Sequence, residues 1–194
     1  WVIAAEVQDC RFVLVANKSD LPSFAALRTR LNFYETLGYP VVDVAATRSV
    51  DTLAVHLSGQ HSVLIGQSGM GKSTIVNALV PDAAARVGDV SAALSSGKHT
   101  TTSSTLYRLP QLDDGWIVDS PGVKAFGIAQ AGADALARAF VELRPALGHC
   151  RFRDCRHRQE PGCAVQAAAE QGKITPQRLS LYHMLVDESR DAAG

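Results

Sequence analysis

Apolar positions along the chain fall into short β-branched runs separated by stretches with helical spacing, the rhythm of an α/β domain built on a buried parallel sheet. Trp1 to Val7 reads as the middle of a helix with no start signal. Arg11 to Ala16 is an apolar run and predicts a buried strand. Pro22 to Leu37 carries Phe24, Leu27, Leu31 and Tyr34 at helical spacing, a face expected in the core, and Gly38 is placed to cap it. Pro40 to Val44 predicts a strand and Val50 to Leu57 a short amphipathic helix. Ser62 to Ile65 reads as a buried strand, and the residues from Ser73 to Val80 as a helix. Asp82 to Ser96 is rich in small residues with weak periodicity, which predicts a mobile segment. Thr105 to Leu109 and Gly115 to Val118 predict two strands about a turn at Asp113, Asp114 and Gly115. Ala131 to Leu147 predicts one helix, with Leu136, Ala139, Phe140 and Leu143 on one side. Thr175 and Pro176 mark the N-cap and first residue of a last helix, with Leu179, Tyr182 and Leu185 along one face and Arg178 on the surface.

Between the strand ending at Ile65 and the helix lies Gly66-Gln67-Ser68-Gly69-Met70-Gly71-Lys72-Ser73, followed by Thr74. It satisfies GxxxxGK[ST] at every specified position, and strand, glycine loop and helix are the context that motif requires. Glycines let backbone N–H groups wrap a phosphate chain, and the helix start adds its orphan N–H groups and positive dipole end. Lys72 is expected to neutralise the β/γ-phosphates and the Ser73 hydroxyl to ligate Mg²⁺. The chain is expected to bind a nucleoside triphosphate.

A second motif names the base. Asn17-Lys18-Ser19-Asp20 follows the first strand, where α/β folds place ligand groups. An Asp20 carboxylate accepts from both N1–H and the exocyclic amine of guanine, whereas adenine offers no such donor pair. Asn17 either contacts the base edge or ties neighbouring loops together, and the Lys18 stem is suited to lie along the ring. Ala45-Ala46-Thr47, after the second strand, is placed to offer a backbone N–H to guanine O6, with Ala45 where a Ser is usual in GTPases.

Gly97 to Ser104 is rich in hydroxyls after a flexible stretch, which suits a switch closing on Mg²⁺ and γ-phosphate. Either Thr101 or Thr102 would meet the metal. Asp119-Ser120-Pro121-Gly122 supplies DxxG after a strand, setting the Asp119 carboxylate near the Mg²⁺ shell and the Gly122 N–H near γ-phosphate.

The 194 residues hold one good-sized domain and a small appendage, and 46% hydrophobic content supports a real core. The charges balance, 19 basic against 19 acidic, so there is no global polyanion signal. No apolar run is long enough to span a bilayer and no signal-peptide pattern leads the chain, so no membrane association is expected. Cys10 stands apart, while Cys150, Cys155, His157 and Cys163 fall within fourteen residues, among Arg151, Arg153, Arg156 and Arg158. Three thiolates and one imidazole form a closed tetrahedral zinc set, in a polar loop with no core of its own. Such cysteine usage implies a reducing compartment, and the chain reads as cytoplasmic. The change of character at Gly148 divides it into residues 1–147, a nucleotide domain, and 148–194, a small, mostly helical zinc module.

Ras-like GTPases run phosphate loop, switch threonine, DxxG, NKxD and Ser-Ala; here NKxD comes first. Strand-end loops build the pocket in space, so rotating the chain order leaves it intact, and the expected fold is a circularly permuted P-loop GTPase sheet flanked by helices. With GQSGMGKST, GKHTTTSS, DSPGVKAFG and the terminal CRFRDCRHRQEPGC, the whole chain resembles the ribosome small-subunit-dependent GTPase A family. The resemblance implies a monomeric factor that hydrolyses GTP to GDP, acts late in maturation of the small ribosomal subunit, contacts its rRNA and is stimulated by the subunit. It implies one structural zinc per chain and magnesium with GTP. Val123 stands where Ras-like enzymes keep a water-orienting Gln, and the resemblance points to His99 in the threonine loop for that task. Family members carry an N-terminal OB-fold that binds RNA; this chain shows neither that domain nor the first strand of the permuted domain, and reads as a fragment. A nucleotide-gated rRNA-binding scaffold, in which turnover only resets binding, is the alternative; a P-loop ATPase or nucleotide kinase is disfavoured by Asn17-Lys18-Ser19-Asp20.

Overall fold

A computed structural model describes residues 1–80, 104–120 and 128–192. The small-residue segment 82–96, the loop with His99, Thr101 and Thr102, and the pair Gly122 and Val123 lie outside the described residues. The described chain forms two compact units, residues 13–80 with 104–120, and residues 1–12 with 128–192.

In the first unit, β1 (Leu14–Asn17) and β2 (Val41–Val44) pair in parallel, with Leu14 opposite Val41 and Asn17 opposite Val44. A second sheet holds β3 (His61–Leu64), β4 (Thr105–Leu109) and β5 (Gly115–Asp119). Its order is β3-β5-β4, with β3 parallel and β4 antiparallel to β5. The helices are α2 (Phe24–Thr36), α3 (Asp51–Leu57) and α4 (Lys72–Leu79). One core joins both sheets to α3 and α4: Val42 and Val44, Leu53 and Leu57, Ile75, Val76 and Leu79, Leu109 and Ile117. The period-2 pattern is followed along β5, where Ile117 is buried and its neighbours Trp116 and Val118 are only half-buried. The turn before β5 holds Asp113 and Asp114 at φ +49° and +56°, and any Cβ on Gly115 would fall 2.7 Å from the Leu57 carbonyl oxygen. Only glycine fits there.

The strands lie within three residues of where the pattern puts them, and α3 and the Gly38 stop (φ +89°) follow it. The burial expected of the first and third strands is corrected: β1 buries only Ala16, and β3, at the edge of its three-stranded sheet, buries no residue and leaves Val63 48% exposed. The core role expected of α2 fails. It has no buried residue, and Leu27 is 41% exposed. Its tie to β2 is partly ionic: Arg28 binds Glu35 on its own helix and Asp43 on β2. An apolar spacing that covers so narrow a face is satisfied by half-burial.

The second unit is helical: α1 (Val2–Val7), α5 (Ala133–Ala139), α6 (Ala164–Glu170) and α7 (Pro176–Asp191). Its core gathers Ile3, Leu136, Phe140, Leu143, Val165, Ile174, Tyr182 and Val186. Thr175 caps α7 by accepting from the Arg178 N–H, with Pro176 in the first turn. Two expectations are corrected. The helix read across 131–147 stops at Ala139, and a 3₁₀ turn at Arg144–Ala146 replaces its second half. Pro145 lacks the N–H that an α-helix would use and disfavours helical backbone before it, yet Phe140 and Leu143 remain fully buried. Arg178, read as surface, is 8% exposed. Its guanidinium is bidentate to Glu142 and lies 4.5 Å from the centre of the Phe140 ring. The compact units also differ from a division at Gly148, because residues 128–147 and α1 share a core with the segment after Cys150. No described helix is long and apolar enough to cross a membrane.

Candidate nucleotide site and metal centre

The carboxyl ends of β1, β2, β3 and β5 carry the nucleotide motifs, and the first unit brings three of them together. Gly69 and Gly71 take φ +80° and +92°, which lets the loop after β3 curl before α4 begins at Lys72. The Lys72 ammonium folds over that loop and donates to the carbonyls of Gly66 (2.7 Å) and Gln67 (3.1 Å). Those bonds hold one positive charge above the glycine backbone, where a phosphate chain would replace the carbonyls as acceptor. Ser68, Met70, Ser73 and Thr74 are exposed around it.

Asn17 is the hub. Its amide nitrogen donates to the Met70 carbonyl (3.1 Å), and its amide oxygen accepts from the N–H groups of Ala46 (3.2 Å) and Lys18 (2.8 Å). One side chain thus joins the ends of β1 and β2 to the phosphate loop. Of the two roles the sequence left open, the structure shows the loop tie. It also occupies the Ala46 N–H, leaving that donor turned onto Asn17. Lys18 adopts φ +65° and its ammonium reaches the Gly69 carbonyl at 3.0 Å, so its stem runs towards the phosphate loop. Ala45 bridges to Ser49, closing the loop after β2. The Asp20 carboxylate faces the Arg48 guanidinium at 3.9 Å, a partner the sequence reading missed because Arg48 belongs to no motif.

Asp119 ends β5 in register with Leu64 and Thr105, half-buried beside the exit of β3. The buried Ser120 hydroxyl accepts from Ser104 at 3.3 Å, joining the start of DxxG to the end of the threonine loop. His99, Thr101, Thr102 and Gly122 lie outside the described residues.

In the second unit the ligand atoms of Cys150, Cys155, His157 and Cys163 all lie within 4.8 Å of one another. His157 Nδ1 is 3.5 Å from the sulfurs of Cys150 and of Cys163, and those sulfurs are 3.9 Å apart. Tetrahedral bonds of about 2.3 Å to sulfur and about 2.0 Å to nitrogen require edges of about 3.8 and 3.5 Å, so these three edges fit a metal. Two sulfurs already receive main-chain N–H groups, Cys150 from Ala164 (3.4 Å) and Cys163 from Gln166 (3.5 Å). Burial pushes the Cys155 thiol up to about 12 and lowers His157 from its ordinary value, keeping the imidazole in its neutral, ligating form. With no cation the Cys155 thiol stays protonated, and a divalent ion would stabilise it as the thiolate. Cys10 is exposed and outside the cluster. The Glu160 carboxylate accepts from the backbone N–H groups of Arg156, Arg158 and Gln159 at 2.8–3.1 Å, which sets its pKa at about 2. Arg151, Phe152, Arg153 and Arg156 are exposed on the same loop.

Residues 1–129 match the family model described as RsgA GTPase. The chain is 49% identical over 187 residues to the small ribosomal subunit biogenesis GTPase RsgA of Neisseria meningitidis serogroup C, covering 96% of this chain and 60% of that one. It is 47% identical over 189 residues to the protein of the same description from Nitrosomonas europaea, covering 95% and 60%. The chain therefore spans about 60% of the length of these relatives. Among solved structures, YloQ, described as a circularly permuted GTPase, superposes with a TM-score of 0.72 at 24% identity, over 98% of this chain and 61% of that one. YjeQ from Thermotoga maritima gives 0.71 at 29% identity, over 100% and 64%. The permuted motif order, the fold and the family model agree: this chain belongs to the RsgA GTPase family.

Proposed function

We propose that this chain is the GTP-binding and GTP-hydrolysing part of a factor that acts on the small ribosomal subunit, and that the subunit stimulates its hydrolysis. The observation that carries the reading is the Asn17 side chain, which ties the guanine-type loops after β1 and β2 to the phosphate loop. The ribosomal part rests on the relatives' described role in small-subunit biogenesis.

Asp20 reads the guanine edge, and Gly66 to Thr74 cradle the phosphates. Lys72 transfers its donors from the Gly66 and Gln67 carbonyls to β/γ-oxygens, a charge-assisted exchange that favours triphosphate over nucleoside. Ser73 and one of Thr101 and Thr102 would hold a magnesium ion, with the Asp119 carboxylate in its shell, and that ion would neutralise charge developing on the transferring group. Val123 offers no group to orient water. His99 takes that role when the chain is bound to the subunit, so turnover is slow in isolation. The Cys150, Cys155, His157 and Cys163 set holds one structural zinc per chain, and its exposed arginines with Phe152 suit an rRNA phosphate backbone and an unstacked base. The protein works as a cytoplasmic monomer away from membranes.

The deciding experiment is GTP hydrolysis measured with and without small ribosomal subunits, with ATP and GTP as competitors for binding. Stimulated release of phosphate from GTP and competition by GTP alone are expected. Equal competition by ATP removes the guanine reading, and turnover indifferent to subunits removes the ribosomal one.

A further inference from the structure

The metal ligands are held in place by residues that are not ligands. His157 sits at φ +60°, a left-handed backbone that a side-chain-bearing residue keeps only when its surroundings fix it. The carbonyls on either side of the next peptide, those of His157 and Arg158, both point at the Gln166 carboxamide. Gln166 Nε2 donates to them at 2.7 and 2.6 Å. The same residue's main-chain N–H reaches the Cys163 sulfur at 3.5 Å. From α7, His183 Nε2 donates to the His157 carbonyl at 2.9 Å. Gln166 therefore touches one ligand through its backbone and fixes the turn that presents another through its side chain.

We propose that Gln166 is the positioning residue of the metal centre, locking the His157–Arg158 turn onto α6 so that His157 Nδ1 faces the three thiols, with His183 as a second brace. The inference rests on the reading of the cluster as a metal site. A primary amide has two N–H groups, and here both are spent on successive carbonyls in a half-buried position where water is a poor substitute. Glutamate has the same shape and no N–H to give at neutral pH, and it sets a negative charge against two carbonyl oxygens. Methionine keeps the length and has no polar donor. Either change frees the left-handed turn to relax, and the imidazole then leaves the tetrahedron.

The test uses the full chain and Co²⁺ as the metal probe, read by its visible d–d absorption and by competition with a chelator. Wild type and Gln171→Met, an exposed position at the end of α6, should take up one Co²⁺ with the same tetrahedral spectrum. Gln166→Met and Gln166→Glu should retain Co²⁺ about 10- to 100-fold less tightly, with a weakened or shifted d–d band, while the helical circular dichroism of the chain is kept. His183→Phe should show a smaller loss in the same direction, and it carries the test if the Gln166 variants fail to fold. Wild-type affinity and spectrum in both Gln166 variants, or in His183→Phe where those do not fold, overturn the positioning role and leave the metal site standing. A wild-type chain that takes up no Co²⁺ overturns the metal reading itself.

Discussion

Gly71→Ala should weaken GTP binding through a residue outside its own loop. Gly71 has φ +92°, and a Cβ built there falls 2.4 Å from the Asn17 amide nitrogen. Left-handed backbone costs a residue bearing Cβ about 1–2 kcal/mol. The clash adds a second cost of a different kind. Asn17 ends in a rotatable amide, so it moves instead of resisting, and in moving gives up its bonds to the Met70 carbonyl and the Ala46 N–H. Two such bonds contribute about 1–3 kcal/mol. Nucleotide must restore the displaced arrangement, so the total of about 2–5 kcal/mol appears in the Kd for GTP, a weakening of at least about 30-fold. The clash also predicts coupling. In an Asn17→Ala background nothing remains to displace, and Gly71→Ala should cost only the backbone part, about 1–2 kcal/mol. Titration of labelled GTP against wild type, both single variants and the double variant closes the cycle. An equal effect of Gly71→Ala in both backgrounds refutes the displacement of Asn17, and an unchanged Kd refutes the loop geometry altogether.

Asp20→Asn should exchange guanine for xanthine preference, since an amide presents a donor where the guanine amine also donates; competition by GTP and XTP reads it, and retained GTP preference removes Asp20 from the base pocket. Cys155→Ser should lose bound zinc in metal analysis and Cys10→Ser should keep it, and the reverse pattern contradicts the ligand set. Glu142→Ala should cost about 3–5 kcal/mol in denaturant unfolding, because it strands the buried Arg178 charge, and a loss under 1 kcal/mol would place that charge in water. Glu160, whose folded pKa of about 2 lies below its unfolded value of 4.5, stabilises the loop that carries the Cys and His cluster fully above that unfolded value. Its contribution should fade as pH drops from 4.5 towards 2, so the stability gap between wild type and Glu160→Gln should close over that window; a gap that does not depend on pH denies the carboxylate its role.

The folded surroundings of the nucleotide motifs and of the Cys150, Cys155, His157 and Cys163 cluster were legible because their elements are local. A strand, a glycine loop and a helix are consecutive in the chain, and Gly69 and Gly71 advertise the left-handed turns they make. The four cluster residues lie within fourteen positions, so ligand count alone foretold a set whose sulfur and nitrogen atoms all come within 4.8 Å of one another. Thr175 and Pro176 announce α7 for the same reason: the cap bonds a backbone N–H three residues on. Asn17 shows where this kind of reading stops. Its residue type allowed both base contact and loop tie, and only the approach of Met70, 53 residues later, selected the tie.

What the pattern missed was decided by partners far away in sequence. A 3.6-residue period says which positions of a helix share a side, and it says nothing about what that side meets. On α7 the apolar positions Tyr182 and Val186 are buried as their spacing requires, and Arg178 is buried with them because it lies one turn earlier on the same face. Read by charge, Arg178 belongs in water; read by position, it belongs inside. Position wins because Glu142, 36 residues earlier, supplies the opposite charge and Phe140 an aromatic face for the guanidinium. The case of α2 runs the other way, with apolar spacing and no element broad enough to bury it, so Arg28 and Asp43 share the work of holding it to β2. Hydrophobic pattern thus proposes a face, and the presence of a partner for that face decides between Leu27 outside and Arg178 inside.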